Sequence, residues 1–184
     1  MTSKPIHILS RGLPKTGQTN SYAWDYDVDG EVELGWWRGR KVATNRQRFV
    51  PLTLNVVDKV VIDRATGLMW AADGAAAGCN NGNLIYFDAA LSYAYYLNFA
   101  GFGTSQWRVP NILELMSIIN YGKTGVLDYY PTFLNTQNED YLTSTCNPNT
   151  DGDEQFIVSF GTGVIISVPG SEETSYLRCV RGMR

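Results

Sequence analysis

The sequence predicts an α+β fold, in which an irregular N-terminal arm precedes a domain of two helices and an antiparallel sheet. Strand-like segments come first, two helical segments follow, and a run of strand-like segments closes the chain, an order typical of this class. The 184 residues include 18 Gly and 7 Pro, so turns are frequent. Only 18 % are charged, fewer than in most helical bundles and coiled coils. We expect the arm to span residues 1–50 and the domain residues 51–184.

The first strands of the domain are predicted from short apolar segments between turn residues. Residues 56–63 predict a strand with a turn at Asp58 and Lys59. Residues 68–70 predict a short buried strand after a Thr-Gly turn. A loop rich in Gly, Ala and Asn over residues 73–83 leads on to the helices.

The first helix is predicted to begin at Asp88, because a carboxylate at this position is a suitable N-cap. Glycines at positions 101 and 103 are expected to end it. Its buried face is expected to consist of residues that recur at helical spacing, which are Leu91, Ala94, Tyr95 and Asn98.

The second helix is predicted to follow Pro110 and to end at Gly122. Asn111 and Glu114 have the spacing of a capping box, in which each side chain accepts the other residue's backbone N–H. The apolar stripe of this helix comprises Ile112, Leu115, Met116 and Ile119.

Four strand-like runs predict an antiparallel meander after the helices. An acidic turn separates the first two runs, a Gly-Thr-Gly hairpin signal precedes the third, and a Pro-Gly turn precedes the fourth. The runs span residues 141–146, 156–160, 164–168 and 175–181.

Net charge and hydropathy exclude several classes of function. The net charge of −3 argues against a protein that neutralises many nucleic-acid phosphates. No stretch approaches the 18 or so consecutive apolar residues of a membrane span. The N-terminus lacks an apolar block of signal-peptide length, so we expect a chain that is not exported by a leader.

Three cysteines, Cys79, Cys146 and Cys179, leave at least one thiol unpaired within a chain. Two interpretations remain open from the sequence. All three are reduced and mostly buried, or Cys146 and Cys179 form a disulfide if their strands are neighbours.

Five short motifs occur in an order that resembles a known family. They are the segment 63–70 (Asp-Arg-Ala-Thr-Gly-Leu-Met-Trp), the Ala-Ala-Leu of the first helix, Trp107–Leu115 (Trp-Arg-Val-Pro-Asn-Ile-Leu-Glu-Leu), Tyr141–Thr145 and the closing segment 176–182 (Tyr-Leu-Arg-Cys-Val-Arg-Gly). This set resembles the family named for the C-terminal domain of the Legionella collagen-like protein. The resemblance covers about residues 54–182, with a weaker extension to residue 13.

Two segments depart from the family pattern. Val56–Lys59 stands where the family usually has a Gly-rich turn, which suggests a different hairpin tip. Tyr-Leu-Thr-Ser-Thr at 141–145 stands where the family usually has Tyr-Trp-Ser-Ser-Thr, so a Trp of the core or of a ligand surface is missing.

The resemblance implies a C-type-lectin-like fold, a module of secreted adhesive proteins and phage-encoded surface proteins, and no established catalytic activity. The motif residues are expected to be structural, with Arg108 bracing loops through a carboxylate such as that of Glu114 rather than binding a ligand. These structural residues are Trp70, Trp107, Arg108, Pro110, Glu114, Arg178 and Cys179.

Ligand-binding candidates are aromatic, amide and acidic residues of the long loops, because Tyr offers contact area and Asn offers adaptable hydrogen bonds. These residues are Tyr129, Tyr130, Asn147, Asn149 and Asp151. In the arm, Trp36 and Trp37 are instead candidates for an anchor between subunits.

No metal or cofactor is expected, and calcium is the alternative. Asp25–Gly30 matches the first six positions of an Asp-x-Asp-x-Asp-Gly calcium loop, but Trp36 stands where the bidentate Glu belongs. A second acidic segment, Asp151–Glu154, is expected to be a charged turn.

The favoured function is therefore non-enzymatic. The only histidine, His7, has no second His for a triad or a metal site. We expect a bacteriophage virion subunit for decoration or receptor binding, displayed on the virion surface. Its partners would be other virion subunits, a host-surface glycan or protein, and further copies of itself. The alternatives are a secreted, extracellular adhesin and, more remotely, an oxidase of the formylglycine-generating type that uses Cys146 and Cys179.

Overall fold

A computed structural model describes residues 48–126, 128 and 131–182. The predicted arm lies outside these residues as far as position 47. The strands are β1 (Phe49–Leu54), β2 (Asp58–Asp63), β3 (Leu68–Ala71), β4 (Ile85–Tyr86), β5 (Asp140–Cys146), β6 (Glu154–Ser159), β7 (Ile165–Pro169), β8 (Thr174–Ser175) and β9 (Val180–Gly182). The helices are α1 (Phe87–Tyr96) and α2 (Ile112–Met116), and 3-10 turns span Ala77–Gly82 and Pro148–Thr150.

The strands form antiparallel sheets, so the fold is a mixed α/β architecture with few helices. The central sheet has the order β1-β2-β3-β9, and a second sheet has the order β5-β6-β7. A short pair, β4-β8, lies beside α1. The backbone of Tyr176 joins the second sheet to the strand that leads into β9, because its N–H bonds the Asp140 carbonyl and its carbonyl accepts the Leu142 N–H.

The central sheet is covered on both faces, which explains why every residue of β3 is buried. Successive side chains of a strand point to opposite faces, so Val60 and Ala71 join one core and Val61 and Trp70 join the other. Alanines of α1 complete the first core, together with Trp107. Apolar residues of α2 and of the turns after it complete the second.

The predicted turn at Asp58 and Lys59 is wrong, because both residues belong to β2. The hairpin tip is Asn55–Val57, since β1 and β2 pair from Phe49 opposite Asp63 to Leu54 opposite Asp58. Asn55 and Val56 accommodate this tight tip with φ values of 45° and 72°. The Asp58 carboxylate accepts the Ala100 backbone N–H at 3.0 Å and so fixes the end of the hairpin to a neighbouring loop.

The first helix differs from its prediction at both ends and on its buried face. Tyr86 is the N-cap residue and has no side-chain cap bond, whereas Asp88 lies inside the first turn. The helix ends at Tyr96, before either glycine. Its buried residues are Ala90 and Ala94, so Ala94 is the one confirmed member of the predicted face, and Asn98 lies beyond the helix and is exposed. Small side chains on this face let the helix backbone lie close to the sheet, which turns the larger Leu91 and Tyr95 toward solvent.

The capping box of α2 is confirmed. The Asn111 side chain accepts the Glu114 N–H at 2.8 Å, and the Glu114 carboxylate accepts the Asn111 N–H at 2.9 Å. The helix ends at Met116 rather than near Gly122, and successive turns carry Ile118 and Ile119 into the second core.

Candidate functional site

The Trp107–Pro110 motif links a buried anchor to a charged brace. The Trp107 indole is buried, and its Nε1 donates to the Phe99 carbonyl at 3.0 Å. The Arg108 guanidinium makes two bonds to the Glu114 carboxylate, at 2.7 and 2.6 Å, so the expected pair is present. Pro110 is buried and precedes α2.

This ion pair is reflected in the pKa values of its two members. The hydrogen bonds that Arg108 donates to Glu114 raise the pKa of Arg108. Burial by itself raises the pKa of Glu114, but Arg108 and the Asn111 N–H lower it by more, so the net shift is downward. Both groups therefore stay ionised, and the forked guanidinium is occupied by the protein's own carboxylate.

Arg178 is almost completely buried and bonds two separate segments. One terminal nitrogen donates to the carbonyls of Ala71 and Ala72, at 2.8 and 3.0 Å. The other donates to the Thr136 hydroxyl at 3.0 Å. The guanidinium lies 5.2 Å from the Phe133 ring centroid and 6.0 Å from that of Tyr141. Carbonyl dipoles and aromatic faces thus stabilise this buried charge.

Asp63, the first residue of the 63–70 motif, forms an ion pair that sequence reasoning missed. The Arg48 guanidinium donates to both oxygens of this buried carboxylate, at 3.0 and 2.8 Å. The same carboxylate accepts the Ala65 N–H and the Thr66 hydroxyl, each at 2.9 Å. A third bond from Arg48, to the Ser117 carbonyl, extends the network to the end of α2. Arg48 is 15 positions away, so no local motif indicated the pair.

Three of the five predicted ligand-binding residues lie in the loop between β5 and β6, and Tyr129 and Tyr130 lie outside the described residues. The Asn147 side chain caps the 3-10 turn by accepting the Asn149 N–H at 3.0 Å. Its amide nitrogen donates to Ser167 at 3.0 Å and to Glu154. Asn147 therefore holds the loop together, whereas Asn149 and Asp151 are exposed at its surface.

Of the two acidic segments predicted as alternatives for calcium binding, the structure describes the second, Asp151–Glu154. The segment 25–30 lies outside the described residues. Within the part of the chain that is described, no three His, Cys, Asp or Glu side chains are grouped so as to hold a metal ion. Glu154, at the end of the second segment, bonds Ser167 and Asn147. Calcium binding stays a prediction.

An exposed aromatic surface on α1 is the feature that sequence reasoning missed most clearly. We define the α1 face as Tyr86, Leu91, Tyr95 and Tyr96, whose side chains are 40 to 71 % exposed. The rings of Tyr95 and Tyr96 meet edge to face, with centroids 4.9 Å apart. Asp88 is the only charged residue of the helix. The sequence signal for this exposed surface was the three closely spaced tyrosines at 93, 95 and 96, because one helix cannot bury all three on a single side.

A shallow groove borders the α1 face and carries polar groups beside aromatic ones. Its lining includes the Tyr93 and Tyr96 rings, the Ser92 hydroxyl and the Asn98 amide. The Tyr93 hydroxyl donates to the Ala77 carbonyl at 2.6 Å, which fixes that ring on the 3-10 turn. The groove is wide open to solvent and measures about 580 Å³.

The α1 face and the groove beside it combine exposed tyrosine rings with a serine and an asparagine. Flat rings bind apolar faces at little entropy cost, and hydroxyl and amide groups at their edge bind polar substituents.

Among residues 48–126, 128 and 131–182, no helix is long and apolar enough to cross a membrane.

Comparison with known proteins identifies the family of this chain. The family model for the Lcl C-terminal domain matches residues 59–181, which include the two helices and every motif from Asp63 to Arg181. No curated protein and no solved structure matches the chain. The family match indicates a surface-associated, adhesin-like module. Because this match covers more than half of the sequence, the chain belongs to the Lcl C-terminal domain family.

Proposed function

We propose that this protein is a non-enzymatic recognition subunit with a C-type-lectin-like domain, displayed on a bacteriophage virion as a decoration or receptor-binding protein, and that it binds a neutral glycan of the host surface through the α1 face. The observation that carries this proposal is the cluster of exposed tyrosines beside the groove of Ser92 and Asn98. Family membership supports an adhesive role.

The chemistry of the α1 face matches that of a sugar ring. A sugar has an apolar C–H face, which packs on an aromatic ring, and hydroxyl groups around its rim, which bond amides and hydroxyls. The Tyr95 and Tyr96 rings provide the first kind of contact, and Ser92 and Asn98 the second. The single charge of the helix, at Asp88, favours a neutral ligand over a polyanion.

A glycan-binding measurement on the full chain tests the α1 face. We expect Tyr95→Ala and Tyr96→Ala each to weaken glycan binding by about tenfold or more, as removal of an anchoring aromatic does at many interfaces. Their melting temperatures should stay at the wild-type value, because both rings are exposed. Leu113→Ala is the matched control, since Leu113 is an exposed apolar residue of the other helix.

The same measurement separates the α1 face from the loop predicted from sequence. If Asn149→Ala or Asp151→Ala abolishes binding while the tyrosine variants bind normally, the site lies in the β5–β6 loop and the α1 proposal is wrong. Repeating the titration with calcium and with a chelator decides whether the acidic turn contributes.

The virion assignment has its own test. Mass spectrometry of purified virions should detect this chain at a copy number that fits a symmetric assembly, and light scattering of the isolated protein should give a homo-oligomer. Absence from virions, together with recovery from the extracellular fraction of a bacterium, would support the secreted adhesin instead.

The remote enzymatic alternative rests on Cys146 and Cys179, whose surroundings differ. Cys146 is exposed at the end of β5, whereas Cys179 is buried in the first core. Burial raises the pKa of Cys179 well above its usual range, so its nucleophilic thiolate is disfavoured. Loss of a measured oxidase turnover in Cys146→Ala would contradict the non-enzymatic proposal.

A further inference from the structure

Two cysteines that are 100 positions apart in the sequence lie side by side in the core. Cys79 belongs to the 3-10 turn Ala77–Gly82, and Cys179 immediately precedes β9. The Cys179 N–H donates to the Gly78 carbonyl at 3.0 Å, so the backbones of the two segments are in direct contact. Both side chains are 1 % exposed or less and belong to the same core cluster.

The electrostatics of the two thiols are consistent with this contact. The pKa of Cys179 is raised well above its usual range, first by burial and then by the neighbouring Cys79. Burial also raises the pKa of Cys79, and this rise is opposed by Arg178 and by a hydrogen bond from the Cys179 backbone N–H. The Cys79 sulfur therefore faces the backbone of Cys179.

The structure brings Cys179 close to Cys79, not to Cys146. The sequence leaves open a disulfide between Cys146 and Cys179, but in the structure Cys146 is exposed, Cys179 is buried, and neither is bridged. Disulfides require Cα atoms about 4.4–6.8 Å apart. The Cys179 N–H bonds the carbonyl of Gly78, the residue before Cys79, so only one hydrogen bond and one peptide unit separate the backbones of the two cysteines.

We propose that Cys79 and Cys179 are a dithiol pair that closes into a structural disulfide when the protein folds in the presence of a disulfide oxidant. One thiolate attacks the oxidant, for example oxidised glutathione, forms a mixed disulfide and releases one glutathione thiolate. The second cysteine loses its proton, attacks the cysteine sulfur of the mixed disulfide and releases the second glutathione. Two protein thiols are thus oxidised, and one glutathione disulfide is reduced to two thiols.

Burial determines when this reaction occurs. In the folded protein both thiols are shielded and their raised pKa values keep them protonated, so a native reduced chain should react slowly. During folding the thiols are accessible, and folding of the 3-10 turn against the last strand brings them together. The bridge would then join the turn that supports Tyr93 of α1 to the strand that closes the central sheet.

Refolding the full chain with oxidised and reduced glutathione tests the proposal. Non-reducing peptide mapping should recover the Cys79 peptide linked to the Cys179 peptide, and denatured protein should titrate one free thiol instead of three. The oxidised form should melt roughly 10 °C above the reduced form, because a bridge closing about 100 residues restricts the unfolded chain. Native reduced protein should be alkylated rapidly at Cys146 alone.

Cysteine variants test the Cys79–Cys179 disulfide independently of the wild-type peptide map. Cys146→Ser should keep the linked peptide and the rise in melting temperature, whereas Cys79→Ala should lose both. If Cys79→Ala fails to fold, the peptide map and thiol count of the wild type still decide the matter. Three titratable thiols after oxidative refolding, or a linked peptide that contains Cys146 in place of Cys79, would overturn the proposal.

Discussion

Asp63 illustrates how one side chain determines the local fold. Its carboxylate accepts four hydrogen bonds, two from Arg48 and one each from the Ala65 N–H and the Thr66 hydroxyl. The last two bonds close the turn between β2 and β3, where Gly67 has a φ of 73° and donates to the Asp63 carbonyl. The spacing of Asp, Thr and Gly in this motif is therefore the spacing of one turn.

We expect Asp63→Asn to lower the free energy of unfolding by about 3–5 kcal/mol, because Arg48 would be left as an uncompensated buried charge. Urea denaturation of the full chain measures this change. Asp73→Asn is the control, since Asp73 pairs with the half-exposed Lys59 at 3.2 Å and an amide oxygen at this position can still accept the bonds from Asn135 and the Ala75 N–H, so the loss should be less than about 1 kcal/mol. Equal losses of unfolding free energy in the two variants would show that the Arg48–Asp63 pair stabilises the fold no more than the Lys59–Asp73 pair does.

At the scale of elements, the β1–β2 hairpin and α1 differ most from what local patterns predict. In the hairpin, the strand pairing fixes the tip at Asn55–Val57, although a β-branched residue is disfavoured at positive φ. In α1, contact with the sheet selects the face of Ala90 and Ala94 and leaves the tyrosines exposed. Packing outweighs local preference in both elements.

The strain at the hairpin tip gives a prediction with a neighbouring control. Val56 is 92 % exposed and has a φ of 72°, so its side chain contributes little burial and its backbone conformation is unfavourable. Val56→Asn should raise the free energy of unfolding by about 1 kcal/mol, because Asn tolerates this conformation. Val57→Asn, at an exposed position without positive φ, should change it by less than about 0.5 kcal/mol. Thermal melts compare the two, and a destabilised Val56→Asn would contradict the strain argument.

At the scale of the whole molecule, the central sheet lies between the two cores, and Arg178 connects the end of its strand β3 to the loop at Thr136. The two cores lie on opposite faces of this sheet. Arg178 bonds the carbonyls at the end of β3 and the loop at Thr136, and its guanidinium lies near the rings of Phe133 and Tyr141. Arg178, which lies shortly before β9, thus contacts three other parts of the sequence, at 71–72, 133–136 and 141.

We expect Arg178→Lys to lower the free energy of unfolding by about 3 kcal/mol, because a single ammonium cannot replace the forked donor toward both carbonyls and Thr136. Calorimetry or urea denaturation measures the loss. Arg181→Lys serves as control, since Arg181 lies 3.7 Å from the Phe102 ring centroid and a lysine retains a cation there. A neutral Arg178→Lys would refute the bracing role.

The elements that the sequence predicted correctly are those with a complete local signal. The short buried strand at β3, the capping box of Asn111 and Glu114, and the strands β5, β6 and β7 all depend on residues a few positions apart. The fourth run of the predicted meander, residues 175–181, is instead divided between β8, which pairs with β4, and β9, which pairs with β3. The family also follows from the order of its motifs, and the match over residues 59–181 confirms it. The location of the α1 face, by contrast, was not predicted from the sequence.

The sequence by itself therefore determined the class of fold, the family, several strands and the capping box of α2, because hydrogen-bond and hydropathy patterns within one element are local. Tertiary structure alone decided which face of α1 is buried, that Arg48 partners Asp63 and that Cys79 rather than Cys146 lies against Cys179. Each of these depends on the contact of segments far apart in the chain. Such contacts are chosen by the packing of the whole core, which no local pattern contains.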